Sequence, residues 1–352
     1  MDTNDLANLR LLSQHILNTG FDEPDAVVRY MLAMQAQDYA GGLWAVALRT
    51  KNSTHKDVEK AIAERRIVRT WPMRGTLHFL HADDVRWMVA LLGERAAKAA
   101  TGRRHNLGLT DKIMEEVESL VRKELANRKY LSRPKLAQLL KDKVKGIEMG
   151  NSQIGHVFRN FGERGIICFG PHEGKQPTFV LLDDWVPKTP KKNREQALTE
   201  LVERYFTSHG PAQLTDLAGW AGINQGEAKL GLSKAKNIVS VEVEKKNYYM
   251  AKDAPKPATG ETLFLLPGFD EYMLGYKDRS AALHADHANK IVPGGNGMFF
   301  PTIVENGQVV GTWKRTVKKS GIAVAYDHFD PKKPAQAKAL NKALARYKQF
   351  AL

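Results

Sequence analysis

One order of elements, helices closed by a short two-stranded hairpin, occurs three times along this chain. The second and third copies lie roughly 80 residues apart, and reuse of one supersecondary unit strongly restricts the fold. In the first copy residues 6–17, 25–35 and 56–66 read as helices. Extended runs over 67–71 and 76–80 follow, joined by the turn Pro72-Met73-Arg74-Gly75, and a helix over 83–100 comes next. In the second copy a helix over 111–126 carries Ile113, Val117, Leu120 and Val121, and Ser132 caps another bearing Leu136, Leu139 and Leu140. A third helix, 151–161, buries Ile154, Val157, Phe158 and Phe161 and turns Gln153, His156, Arg159 and Asn160 outward; strands over 166–169 and 178–182 close the unit. The third copy runs through helices at 194–207 and 215–221 and a capping box, Asn224-x-x-Glu227, to a hairpin of 238–243 with 248–250. Three helices and a hairpin is the order of a winged helix, which binds DNA with its third helix in the major groove and its wing near the backbone.

Beyond residue 262 the pattern changes to short strands at 262–266, 297–300, 302–305, 308–313 and 322–326, with Asn306-Gly307 as a two-residue turn, and then a basic helix at 334–350. The expected fold is therefore α+β: three tandem winged-helix units (1–105, 106–186 and 187–257) followed by a mainly β, barrel-like region (258–352). The net charge of +14, from 53 Lys and Arg against 39 Asp and Glu, favours a polyanionic partner, with nucleic acid first. The single cysteine, Cys168, excludes an internal disulfide and a Cys-rich zinc site. No apolar run is long enough for a membrane span, and Met1-Asp2-Thr3-Asn4-Asp5 does not resemble a signal peptide, so a cytoplasmic protein is expected.

Histidines are scattered. His78 and His81, and His284 and His287, are three apart, and no His-x-x-x-His pair occurs, so no metal is expected. Gly294-Gly295-Asn296-Gly297 lacks the lysine and helix of a phosphate loop, and no cofactor is expected. More informative is Gln35-Ala36-Gln37, at the end of an apolar run that Asp25 is expected to N-cap. The two glutamines lie about 200° apart on a helix, so they share a face only if the chain becomes extended near Ala36. Gly41-Gly42 offers a permissive backbone for that exit. Two amides in one cleft would supply carbonyl acceptors and NH2 donors without an ionisable group. Asp270-Glu271 follows an apolar strand, where a carboxylate serves either as a general base or as a salt-bridge partner, for which Arg279 is at hand.

Together these segments resemble the winged-helix DNA glycosylases typified by AlkZ. The resemblance spans nearly the whole chain and rests on Gln35-Ala36-Gln37, on Arg74-Gly75-Thr76-Leu77-His78, on Leu265-Leu266-Pro267-Gly268-Phe269-Asp270-Glu271-Tyr272, and on the segment from Gly307 to Trp313. It implies that Gln35 and Gln37 are the catalytic pair for excising N7-alkylated purines, with crosslink unhooking in some members. A sister branch carries aspartate at the second position, which places Gln37 nearer the crosslinker-resistance type. The implied activity is a monofunctional hydrolase of N-glycosyl bonds acting on double-stranded DNA as a monomer. DNA contacts are expected from Arg74 and His78 in the first wing and from Lys314, Arg315, Lys318 and Lys319 around the last hairpin. The competing readings are a non-catalytic winged-helix transcriptional regulator and an RNA- or protein-binding module.

Overall fold

The computed structural model describes residues 2–145, 150–254, 262–318, 321–330, 332 and 337–351. Chain packing divides it into two units: Met1–Lys60 with Leu198–Leu352, and Ala61–Ala197. The N-terminal stretch carries α1 (Thr3–Ser13), α2 (Pro24–Met31), the short strand β1 (Met34–Gln35), α3 (Tyr39–Arg49) and α4 (His55–Ala63). A reciprocal cap between Asp2 and Asp5 starts α1, and His15, at φ +53°, follows its end. Helix α3 departs from the sequence expectation. Gly41 and Gly42 are not an exit from helix but lie in the first turn of α3, and every residue from Gly41 to Arg49 is buried. A helix apolar on nearly all sides has no stripe at 3.6-residue spacing to reveal it.

In the unit Ala61–Ala197, β2 (Ile67–Met73) and β3 (Thr76–His81) pair antiparallel as expected. Their turn is Arg74–Gly75, at φ +52° and +73°, the sign that a two-residue hairpin connection requires. Pro72 falls at an irregularity of β2, where the lost N–H is tolerated. The expected long helix is built from α5 (Ala82–Met88), a π-helical turn Val89–Gly93 and α6 (Glu94–Ala99), and α7 (Thr101–Asn106) follows. Then come α8 (Asp111–Leu125), β4 (Leu131–Ser132), α9 (Arg133–Lys143), α10 (Asn151–Glu163), β5 (Ile167–Phe169), β6 (Thr178–Leu181) and α11 (Leu182–Trp185). The small sheet has the order β4-β6-β5.

The first hairpin shares its core with α8, α9, α10 and β5: Trp71 and Leu77 belong to one apolar cluster with Val117, Leu136, Val157, Phe161 and Ile167. Two glycines permit this. A Cβ at Gly162 would fall 2.3 Å from the Trp71 ring, and one at Gly93 would fall 2.3 Å from the carbonyl oxygen of Glu163. The close packing also covers the side of α10 expected to face outward. His156 and Asn160 are buried, so α10 cannot offer these two side chains to a DNA groove, while Arg159, tied to Glu163 at 2.7 Å, keeps part of its surface exposed. Cys168 sits on β5 fully buried, and burial pushes its thiol well above the usual range, leaving it inert.

The remaining elements are α12 (Arg194–His209), α13 (Leu214–Ala221), α14 (Gln225–Lys234) and the hairpin β7 (Ile238–Val243) with β8 (Lys246–Ala251). The capping box of Asn224 and Glu227 forms as expected, with both reciprocal bonds at 2.9 Å. After it come β9 (Leu263–Leu266), α15 (Glu271–Leu274), α16 (Ala288–Ile291), β10 (Thr302–Glu305), β11 (Gln308–Lys318), β12 (Gly321–His328) and α17 (Ala337–Phe350). The four strands form an open antiparallel sheet, β12-β11-β10-β9, rather than the expected barrel. Closure would require β9 to meet β12. Instead α17 packs by β9, and two indoles take carbonyls of that edge strand: Trp44 donates to Leu265 and Trp313 to Leu266, both at 2.7 Å. Residues 297–300 form no strand, because Gly294, Gly295 and Gly297 all adopt positive φ in a loop. The Asn306–Gly307 turn has the expected positive-φ pair, +49° and +81°.

Candidate active site

The Gln35–Gln37 segment is produced by an abrupt stop. Helix α2 starts with Pro24 at its first position and Glu23 at the cap, which places Asp25 inside the first turn rather than at the N-cap. The helix ends at Met31, four residues before the expected end, because Leu32 adopts φ +70° and ψ −54°. Ala33 N–H then donates to the Met31 carbonyl at 2.9 Å. This is a γ-turn of the strained, positive-φ kind, unusual for a leucine. Burial of Leu32 holds it there, and strain of this sort costs on the order of 1–3 kcal/mol. The turn throws the chain into the two-residue strand β1, which ends at Gln35; Gln37 and Asp38 follow in a bend before α3. Gln35 is 8% exposed, Ala36 is buried and Gln37 is exposed. Asp38 then occupies the N-cap position of α3. A Cβ at Gly41 would lie 2.6 Å from the Asp38 carboxylate, so the glycine serves to admit that side chain over the helix start. Asp38, which sequence reasoning passed over, is an exposed carboxylate next to Gln37.

Behind this segment lies a buried polar layer. The backbone N–H of Gln35 donates to Glu271 Oε1 at 2.9 Å. The other carboxylate oxygen accepts the Trp220 indole N–H at 2.9 Å and stands 3.6 Å from His209 Nε2. Ser208 Oγ donates to the Arg204 carbonyl at 2.8 Å, which leaves it to accept from His209 Nδ1 at 2.8 Å. The His209 ring stacks on Tyr205 with centroids 4.7 Å apart. The preceding residue is equally committed. Asp270 accepts from Arg49 at 2.9 and 3.0 Å and caps α15 through Tyr272 N–H at 2.9 Å. Its partner is therefore Arg49, not Arg279, whose Nε donates to the Met273 carbonyl. Both carboxylates are 1% exposed, so neither reaches substrate as a general base. Arg49 was the missed residue, and the available signal was an arginine ending the apolar run Leu43 to Leu48.

The expected DNA contacts divide. Arg74 is exposed at the tip of the β2–β3 hairpin, and a Cβ at Gly75 beside it would fall 2.2 Å from the Arg159 guanidinium, so a second cation underlies the same turn. His78 is fully buried, with Nδ1 3.0 Å from the Thr76 carbonyl oxygen; its ring belongs to the packing of the hairpin and does not reach a phosphate. Alternation along β11 exposes Lys314 and turns Arg315 toward α17, where it donates to the Tyr347 hydroxyl at 3.0 Å. Lys319 and the side chain of Lys318 lie outside the described residues.

Residues 28–350 match the family described as DNA glycosylase AlkZ-like. The chain belongs to the AlkZ-like DNA glycosylases. The interstrand DNA cross-link repair glycosylase of Streptomyces sahachiroi is 27% identical over 310 residues, which cover 82% of this chain and 81% of the relative. The structure of Streptomyces sahachiroi DNA glycosylase AlkZ superposes with a TM-score of 0.80 at 23% identity, covering 99% of this chain and 96% of that one, and so shares the α+β fold. The family match takes in Gln35, Gln37, Asp270 and Glu271. Among the described residues no cluster of His, Cys, Asp or Glu could hold a metal, and no helix is long and apolar enough to cross a membrane.

Proposed function

We propose that this glycosylase hydrolyses the N-glycosidic bond of N7-alkylated purines in duplex DNA, with Gln37 as the group that holds the attacking water and Gln35 orienting it or the sugar. The observation that carries the reading is an exposed neutral amide, Gln37, two residues beyond a backbone N–H, that of Gln35, held by a buried carboxylate. An N7-alkylguanine is already cationic, so its glycosidic bond breaks toward an oxocarbenium-like state without a strong acid. The enzyme has only to stabilise developing sugar charge and position water, and an amide carbonyl does both. A bulky adduct would not need to be flipped fully into a tight pocket, unlike the usual arrangement. Unhooking of interstrand crosslinks is the natural extension, in keeping with the cross-link repair in the Streptomyces relative's name. The reading includes three winged-helix segments, 1–105, 106–186 and 187–257, a C-terminal region, 258–352, and action as a monomer of the Gln-x-Gln type.

The direct test is duplex carrying N7-methylguanine, with the free base followed by chromatography; a chain that binds this duplex and releases no base refutes the proposal. DNA contact is tested separately. Arg74→Ala and Lys314→Ala should each lower the slope of log Kd against log salt by roughly one, as expected for loss of one phosphate contact. Arg315→Ala should change it less, since that guanidinium is engaged by Tyr347. A slope unchanged in Arg74→Ala removes the first hairpin from the interface.

A further inference from the structure

We propose that Glu271 is the positioning residue of the site, fixing through the Gln35 backbone where the Gln37 amide is presented. The inference rests on the catalytic reading of Gln37 given above. Three observations converge on it. Glu271 is a carboxylate with 1% exposure, a costly thing to bury unless its oxygens are used. One oxygen accepts the Gln35 N–H at 2.9 Å and the other the Trp220 indole N–H at 2.9 Å, so the carboxylate ties the extended segment to α13. The segment it holds is short, running from the γ-turn at Leu32 through the two-residue strand β1 to the start of α3. A second tether lies farther along, where Arg49 at the C-terminal end of α3 is locked to Asp270, the neighbour of Glu271. The adjacent carboxylates thus hold the backbone at Gln35 and the far end of the helix that follows Gln37. Glu271 touches no substrate; it acts by preventing drift of a group whose contribution depends on placement.

The experiment compares Glu271→Ala, Glu271→Gln and Gln37→Ala with the unmodified chain, measuring single-turnover release of 7-methylguanine and affinity for undamaged duplex. Glu271→Ala should slow release by about 100-fold, the effect of a displacement near 1 Å, with duplex affinity within about twofold. Glu271→Gln keeps an acceptor for the Gln35 N–H but opposes an NH2 to the Trp220 donor, and should recover to within about tenfold of the unmodified rate. The proposal is overturned if Glu271→Ala stays within about threefold of that rate, if rate and affinity fall together, or if Glu271→Gln is no faster than Glu271→Ala. Should Glu271→Ala not fold, Trp220→Phe decides: slowing of about threefold or more at unchanged affinity supports the proposal, and an unchanged rate overturns it. Gln37→Ala separates the two readings. If it is inactive while Glu271→Ala is fully active, only the positioning role fails; if Gln37→Ala is fully active, the catalytic reading and this inference fall together.

Discussion

Gln37→Ala should lower the rate of 7-methylguanine release by about two to three orders of magnitude while leaving affinity for undamaged duplex nearly intact. One transition-state hydrogen bond from a preorganised group is worth roughly 2.7–4 kcal/mol, and an uncharged amide adds little to phosphate affinity. Gln37→Glu is the informative partner. A carboxylate would stabilise the sugar cation and activate water, so activity should survive in part, but the new charge would repel phosphates and weaken binding, more so at low salt. Gln35→Ala should be milder, because Gln35 is tied in through its backbone N–H, which alanine retains. Wild-type release by Gln37→Ala would make the glutamines structural and move the catalytic group elsewhere in the site.

The second large effect is on stability. Arg49 has five N–H donors and uses all of them, to the Gln14 carbonyl and amide oxygen, the Ala45 carbonyl and both oxygens of Asp270, at 2.9 to 3.0 Å. Both side chains of the pair are essentially inaccessible. Arg49→Met should destabilise the protein by about 3–5 kcal/mol, because it leaves the Asp270 carboxylate buried without its counter-charge. The measurement is the midpoint of urea unfolding at unchanged slope. Arg49→Met with Asp270→Leu should recover much of that loss, since a buried pair contributes far less than its broken half costs. A double variant as unstable as the single would show that the damage lies in lost packing around Gln14 and Ala45 rather than in the stranded charge. Asp270→Asn, if as active as the unmodified enzyme per folded molecule, would also close the question of Asp270 as a general base.

Local chemistry made much of this molecule readable in advance. The β2–β3 hairpin, the capping box of Asn224 and Glu227, the Asn306–Gly307 turn and the need for an extended backbone at Gln35 follow from residue types within a few positions of one another. What escaped was set by partners far away in sequence. Glu271 meets Gln35 across 236 residues and Asp270 meets Arg49 across 221, and no periodicity encodes such a meeting. Helix α3 was missed because its glycines look like a break and its apolar residues leave no polar side. His78 was assigned to the surface because alternation alone does not say that both faces of β3 are covered. The expected barrel is an open sheet, with the terminal helix α17 rather than β12 packed by β9.

The division of the chain also orders events during synthesis. Residues 61–197 form a unit that is covalently complete while the ribosome is still far from the end, but Met1–Lys60, which carries Gln35 and Gln37, belongs with Leu198–Leu352. At about 5–20 residues per second the N-terminal segment waits roughly 8 to 30 s between emergence of the middle unit and arrival of the last partner strands. A nascent chain therefore carries the basic Arg74 hairpin well before it carries an assembled glutamine segment. A premature stop anywhere before Glu271 leaves a product without the carboxylate that accepts the Gln35 N–H.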